Sequence, residues 1–394
     1  MPTHQHIPPC SIKPKTSPIK TFINIPVSFI AASLLALGNA ASAESSPAIC
    51  ANYWQTDQAY HAGDVRSHLG RNYRANWWTQ AMRPDRAASR SEWQDLGPCQ
   101  YPAHSVITLR GDQLTPITGP AMQIGTHYRV HILLPANYQP DRAYSTLYVA
   151  DWSWLGERSS MQDLLRIYEQ REVPLSELRS VPEQITAAEA AGEASPVIVI
   201  GLECPDDLLA CQIRRERDFT PNSWAPEEDY IRGVLWPELP AGLTISGGGE
   251  AFGRFLRETV IPHVEQRFRV DPKQRGWLGT SLSGLWGLSQ LNQRSRLFSH
   301  YLLNSPSLWY ADGAVLTELT VQSPVNLRGI RTVYLSSGSE EAAEQPLLDL
   351  LGAQLREKQI PTEQRTLPAA THLSAPSSAT RIGLPLVYPA SSAP

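Results

Sequence analysis

The chain has 394 residues, 42% hydrophobic, and a formal charge of −4, which allows one large domain with a sizeable core plus something small. No run of lysines or arginines supplies the electrostatic footprint that holds phosphates, so nucleic acid is not an expected partner.

Residues 1–43 read as a secretory signal. Lys13, Lys15 and Lys20 precede an apolar run from Val27 to Leu37, and small residues end in Ala41-Ser42-Ala43, with no acidic residue before Glu44. An apolar core of roughly eleven residues is too short to cross a bilayer, which takes about 20. Cleavage after Ala43 leaves no membrane span and implies a secreted, extracellular or periplasmic protein. Cys10 leaves with the signal, and the four remaining cysteines, an even number in an oxidising compartment, read as two disulfides. Cys50 with Cys99 and Cys204 with Cys211 are the expected pairs, because each brackets a locally coherent segment. Chain entropy assigns about 4 kcal/mol to the first loop and about 2.5 kcal/mol to the second. Neither pair has the C-x-x-C spacing of a zinc or redox site.

Residues 44–100 differ in composition from the rest of the chain. Trp54, Tyr60, Tyr73, Trp77, Trp78 and Trp93 crowd a short segment with glycines at turn positions, so a disulfide and large aromatic rings must carry a compact, mostly β module. Trp77 and Trp78 are adjacent, and on a strand adjacent side chains point to opposite faces, so one ring is expected to face solvent. An exposed ring on a rigid strand suits stacking on the apolar face of a sugar. The order W-x5-Y-x2-G-D-V, then G-x2-Y-x-A-x-W-W, a proline, W-x2-L-G and a closing cysteine runs from Trp54 through Gly63, Asp64, Val65, Gly70, Tyr73, Ala75, Pro84 and Trp93 to Cys99. It resembles the type-3 chitin-binding module, carbohydrate-binding module family 5/12. The resemblance implies docking on chitin or a related insoluble polysaccharide through Trp77, Trp78 and Tyr60. Where that family often has an aromatic after Val65, this chain has Arg66-Ser67-His68.

From residue 106 to 390 short β-rich runs alternate with helical ones. "HYRVHILLP" (127–135), "YSTLYVADW" (144–152), "SPVIVIGLE" (195–203), "RGWLGT" (275–280), "SHYLLNS" (299–305) and "RTVYLSSG" (331–338) are bounded by turn residues. Phe252, Phe255, Leu256, Val260, Val264 and Phe268 recur at helical spacing, as do Leu347, Leu348, Leu351 and Leu355. This alternation implies an α/β domain with a mainly parallel sheet covered on both faces.

Reactive groups on such a sheet collect beyond the carboxyl ends of the strands. "GTSLSG" (279–284) stands at one such end, between strand-like Gly276-Trp277-Leu278 and a helix expected over Leu282 to Leu291. Ser281 therefore occupies the sharp turn of a nucleophile elbow, in which a strained serine is lifted toward a base. The G-x-S-x-G pattern is met except at Ser283, a small residue standing where glycine is usual. In this architecture the acid and then the histidine follow the serine. Only His300 and His372 follow Ser281; His300 precedes every candidate acid, whereas His372 lies in the late loop "ATHLSAP" and is the expected base. Glu341, at a G-x-x-acid spacing from Gly338, is the expected acid, with its neighbour Glu340 as the alternative. The backbone N–H of Leu282 is one expected oxyanion donor, and that of Trp152 or Ser153 in "ADWSW" the other. Trp152 and Trp154 read equally as walls of an acyl pocket or as core.

Those runs, with "GGGEAFGRFLRETVIPHVEQRF", "FSHYLLNSPSLWY" and "THLSAP", resemble the esterase D and enterochelin esterase-like family of the α/β-hydrolase fold. The resemblance implies a serine esterase in which Ser281, Glu341 and His372 form the triad. Thr280 and Ser283 depart from the histidine and glycine frequent in that family. No metal-ligand constellation or phosphate loop appears, so no cofactor or metal is expected. The combined expectation is a secreted, polysaccharide-tethered carboxylic ester hydrolase acting on acetyl or feruloyl esters. A siderophore esterase and a chitin-binding adhesin with an inactive hydrolase domain are the alternatives.

Overall fold

The computed structural model describes residues 48–86, 92–119, 122–240, 242–291, 293, 296–321 and 327–390. The expected signal, residues 1–43, and with it Cys10, lies outside them.

The module is built on β1 (Val65–His68), β2 (Arg71–Ala75) and β3 (Trp93–Gln100), with β2 antiparallel to both others. Cys50 and Cys99 are disulfide-bonded, as are Cys204 and Cys211 in the larger domain. Trp54, Tyr60, Tyr73, Ala75 and Trp93 form the module's core. Two expectations for the aromatics are corrected. Tyr60 is fully buried: its hydroxyl takes the Gln55 N–H at 2.7 Å, its ring meets Trp93 edge-on, and the Arg66 guanidinium lies 4.9 Å from its centroid, so it presents nothing to a polysaccharide. Trp77 and Trp78 lie in a bend after β2 rather than on a strand, which removes the alternation rule, and both are exposed, at 48% and 57%.

The module packs on the larger domain through specific contacts. The Tyr53 hydroxyl donates to the carbonyl of Gln266, the Arg267 guanidinium lies 5.1 Å from the Tyr53 ring, and the Tyr101 hydroxyl accepts from Gly70 N–H while donating to the Arg267 carbonyl. Gly70 has φ +78°, and a Cβ there would stand 2.1 Å from Cβ of Pro140, so this junction admits no side chain.

The larger domain is organised by an eight-stranded sheet. Its strands are β4 (His104–Arg110), β5 (His127–Leu133), β6 (Tyr144–Val149), β7 (Val197–Glu203), β8 (Val270–Thr280), β9 (His300–Asn304), β10 (Thr332–Gly338) and β11 (Thr362–Leu367). Their spatial order is β4-β5-β7-β6-β8-β9-β10-β11; β5 is antiparallel to β4 and β7, and the pairs from β7 through β11 are parallel. Continuous apolar runs such as "VIVIGL" form the central strands because both faces are covered. Side chains alternate between two cores. Tyr148, Ile198, Ile200, Trp277, Leu303 and Val333 meet Phe252, Phe255, Val264, Leu285 and Trp286 from helices on one face. Leu147, Val149, Val197, Val199, Leu278 and Tyr334 meet Val181, Ile185, Ala379 and Leu384 on the other. The architecture is the expected α/β class with a small β-rich module in front. The helical spacing from Phe252 to Val264 corresponds to α-helices Gly249–Phe255 and Ile261–Arg267 joined by a π-helical segment, Leu256–Val260.

Candidate functional site

β8 ends at Thr280 and a helix begins at Leu282, leaving Ser281 as the single residue of the turn. Its φ is +59°, a left-handed conformation that a residue with a Cβ adopts at a cost of about 1–3 kcal/mol. Gly279 permits the turn, because a Cβ there would lie 2.3 Å from the Ser283 carbonyl oxygen. The Ser281 N–H donates to the Asn304 carbonyl at 3.1 Å, and its own carbonyl accepts from Ser307 N–H at 3.1 Å. The Ser281 hydroxyl is 3.2 Å from Ser307 Oγ. Leu282 opens the elbow helix, so its N–H has no intrahelical acceptor and is free for an anion.

β9 and β10 run parallel to β8, so the loops after them stand at the same end of the sheet. After β10, Glu341 is 7% exposed and accepts from Nδ1 of His372 at 2.6 Å, from Ser305 Oγ at 2.7 Å and from Gly338 N–H at 2.6 Å. Burial alone would push its carboxyl up, but the His372, Ser305 and Gly338 interactions hold it below the ordinary carboxylate value. His372 is 40% exposed, in the loop between β11 and the helix Ala375–Val387. With Nδ1 committed to Glu341, Nε2 is the nitrogen left for chemistry. Glu340 points elsewhere, half exposed and 3.2 Å from Arg171. His300 is buried on β9 with Nε2 2.7 Å from Gln274 Oε1, and burial followed by the Arg331 charge lowers it to about 4.

Ser283 does more than fill a glycine position. It is fully buried, its hydroxyl donates to Asp151 Oδ2 at 2.6 Å, and its oxygen accepts the Thr280 N–H at 2.8 Å. Asp151 follows β6 at φ +56°, and its carbonyl accepts from Trp154 and Leu155 in the short helix Trp152–Leu155. Arg215 donates through Nε to Asp151 Oδ1 at 2.8 Å and stacks 4.2 Å from the centroid of Trp154. The Trp152 ring is 6% exposed and belongs to a core cluster, where a Cβ on Gly201 would strike it; of the two readings, core is correct for Trp152. The Ser153 hydroxyl bridges to the Cys204 backbone rather than to the elbow. Ser305, Ser307, Asp151 and Arg215 are the site neighbours that sequence reading did not single out; only Asp151 left a signal, as the polar end of an apolar strand. Among the described residues no group of three His, Cys, Asp or Glu could hold a metal ion, and no helix is long and apolar enough to cross a membrane.

Residues 53–94 match the family described as carbohydrate-binding module family 5/12, and residues 239–373 match the family described as "Putative esterase". The chain carries a family 5/12 module followed by an esterase-family domain. The esterase match takes in Ser281, Glu341 and His372. The chain is 28% identical to the ferri-bacillibactin esterase BesA of Bacillus subtilis over 182 residues, 46% of this chain and 54% of the relative. It is 35% identical to a siderophore enterobactin esterase of Emericella nidulans over 127 residues, 31% of this chain and 39% of the relative. The chain thus spans about half, or less, of the length of these curated relatives. The solved structure of the siderophore hydrolase EstB from Aspergillus nidulans superposes with a TM-score of 0.51 at 17% identity, covering 76% of this chain and 99% of that one, which establishes likeness of fold for the esterase domain.

Proposed function

We propose that the protein is an exported serine carboxylic ester hydrolase held near chitin or a related polysaccharide by its module. The observation that carries this reading is the His372–Glu341 pair standing at the same sheet end as a left-handed serine on an elbow. Ser281 Oγ attacks the ester carbonyl while Nε2 of His372 takes its proton. The carbonyl oxygen becomes an oxyanion facing the N–H groups of Leu282 and Trp152, and collapse expels the alcohol, which receives the proton from His372. Water, activated by the same histidine, then hydrolyses the acyl-serine. Glu341 holds the imidazole in the tautomer this requires and stabilises its cation. Trp77 and Trp78 form the polysaccharide-binding pair, and the two disulfides suit an oxidising compartment.

Acetyl or feruloyl esters on a polysaccharide fit the presence of the module. A second reading, a siderophore ester substrate, is favoured by the names of the curated relatives. Turnover by the purified protein of acetyl, feruloyl and tri-catecholate esters, with Ser281→Ala as control, separates the two. The siderophore reading requires kcat/KM for the catecholate ester to exceed that for the other two by an order of magnitude or more. Comparable or better turnover of acetyl or feruloyl esters on chitin fragments excludes it.

A further inference from the structure

We infer that Asp151 and Ser283 are positioning residues that couple the two backbone amides of the oxyanion site, so that this chain's departure from glycine at position 283 is functional. The inference rests on the serine esterase reading. One donor, Leu282 N–H, belongs to the residue just before Ser283; the other, Trp152 N–H, to the residue just after Asp151. Ser283 Oγ and Asp151 Oδ2 are joined at 2.6 Å although 132 residues separate them in sequence. A single charge-assisted hydrogen bond therefore fixes the loop after β6 against the elbow after β8.

The clamp reaches both sides of the turn. Ser283 Oγ holds the Thr280 N–H at 2.8 Å, and Arg215 Nη2 reaches the Thr280 carbonyl at 3.4 Å while its Nε binds Asp151 Oδ1 at 2.8 Å. Both backbone polar groups of the residue preceding Ser281 are thus tied to groups anchored on one buried carboxylate. Two adjoining backbones with positive φ, Asp151 at +56° and Ser281 at +59°, persist only when surrounding bonds over-determine them. A glycine or alanine at 283 supplies neither the hydroxyl donor for Asp151 nor the acceptor for Thr280. It would leave the spacing of the two amides to the sheet alone. Donors aimed at the developing oxyanion act mainly on the transition state, so the loss appears in turnover and not in substrate affinity.

The test uses the full chain. In Ser283→Ala, kcat for p-nitrophenyl acetate is expected to fall about tenfold, less than the 10²–10³ lost with a whole oxyanion donor. KM stays within about twofold, the inhibition constant of a trifluoromethyl ketone rises by the same factor as kcat falls, and the fraction of protein labelled at completion by a fluorophosphonate is unchanged. Asp151→Asn is expected to lose as much or more, and the double variant no more than the worse single one. Unchanged kcat and ketone affinity in Ser283→Ala overturn the inference. So does a fall in kcat matched by a fall in the labelled fraction, which marks a merely structural residue. Ser281→Ala separates the levels: wild-type turnover in that variant removes the esterase reading itself, whereas an inactive Ser281→Ala beside a fully active Ser283→Ala removes the coupling alone.

Discussion

Nδ1 of His372 lies 2.6 Å from a buried oxygen of Glu341, while the adjacent Glu340 carboxylate is half exposed and faces Arg171. Two neighbouring acids are therefore inequivalent by environment. Glu341→Gln is expected to lower kcat by about 10²-fold or more, because the amide can donate to Nδ1 and favour the wrong tautomer. Glu340→Gln should stay within about twofold of wild type, since an exposed ion pair contributes little. Steady-state kinetics of the two variants on one soluble ester decide this, and equal losses would refute the assignment.

The module's exposed and buried aromatics should separate in a binding assay. Replacing Trp77 and Trp78 with alanine is expected to abolish retention on insoluble chitin with little change in thermal stability, because both rings face solvent. Tyr60→Ala should instead cost about 3–5 kcal/mol, the usual range for deleting a core aromatic. Pull-down and thermal melts of the purified variants read both effects. Retention surviving loss of both tryptophans would place the sugar-binding face elsewhere.

The contacts of Tyr53, Gly70 and Tyr101 make the module part of the folded body of the esterase domain. Gly70→Ala adds a Cβ at φ +78° against Pro140 and is expected to destabilise by about 1–3 kcal/mol. Removal of residues 44–100 should lower the melting temperature of the remaining domain by uncovering Tyr101. Unchanged melting in both cases would indicate two independent units.

Acid should probe His300, which with His263 is one of two histidines among the described residues that burial lowers to about 4. Burial lowers it from 6.5 to about 4, so between those values the unfolded chain binds a proton that the folded chain does not. Its contribution to stability is complete above pH about 6.5 and is lost as pH falls toward about 4. Urea unfolding of His300→Gln between pH 7 and pH 5 should therefore show a shallower decline than wild type. Parallel declines would contradict this.

The elbow was legible in the sequence because its signal is local: a small-residue turn between an apolar strand and an apolar helix. Glu341 and His372 could be named from chain order, but which acid faces the imidazole depends on the three hydrogen bonds that bury Glu341. Tyr60 misled because an aromatic in a module motif carries no mark of which side of the sheet it takes. The paired tryptophans misled because their bend is set by the chain leaving β2, and no strand alternation operates there. Edge strand β11, "TEQRTL", went unread because its exposed face is polar and a helix-like segment precedes it. The Asp151–Ser283 bond joins residues 132 positions apart, and nothing short of the fold brings them together.

Covalent labelling tests Ser281 as the nucleophile most directly. Mass spectrometry of the protein after reaction with a fluorophosphonate should find the adduct on the peptide holding Ser281, with ester turnover falling in proportion to labelling. Ser281→Ala should neither label nor turn over ester above background. An adduct on Ser283 or Ser307, or wild-type hydrolysis by Ser281→Ala, would contradict the assignment.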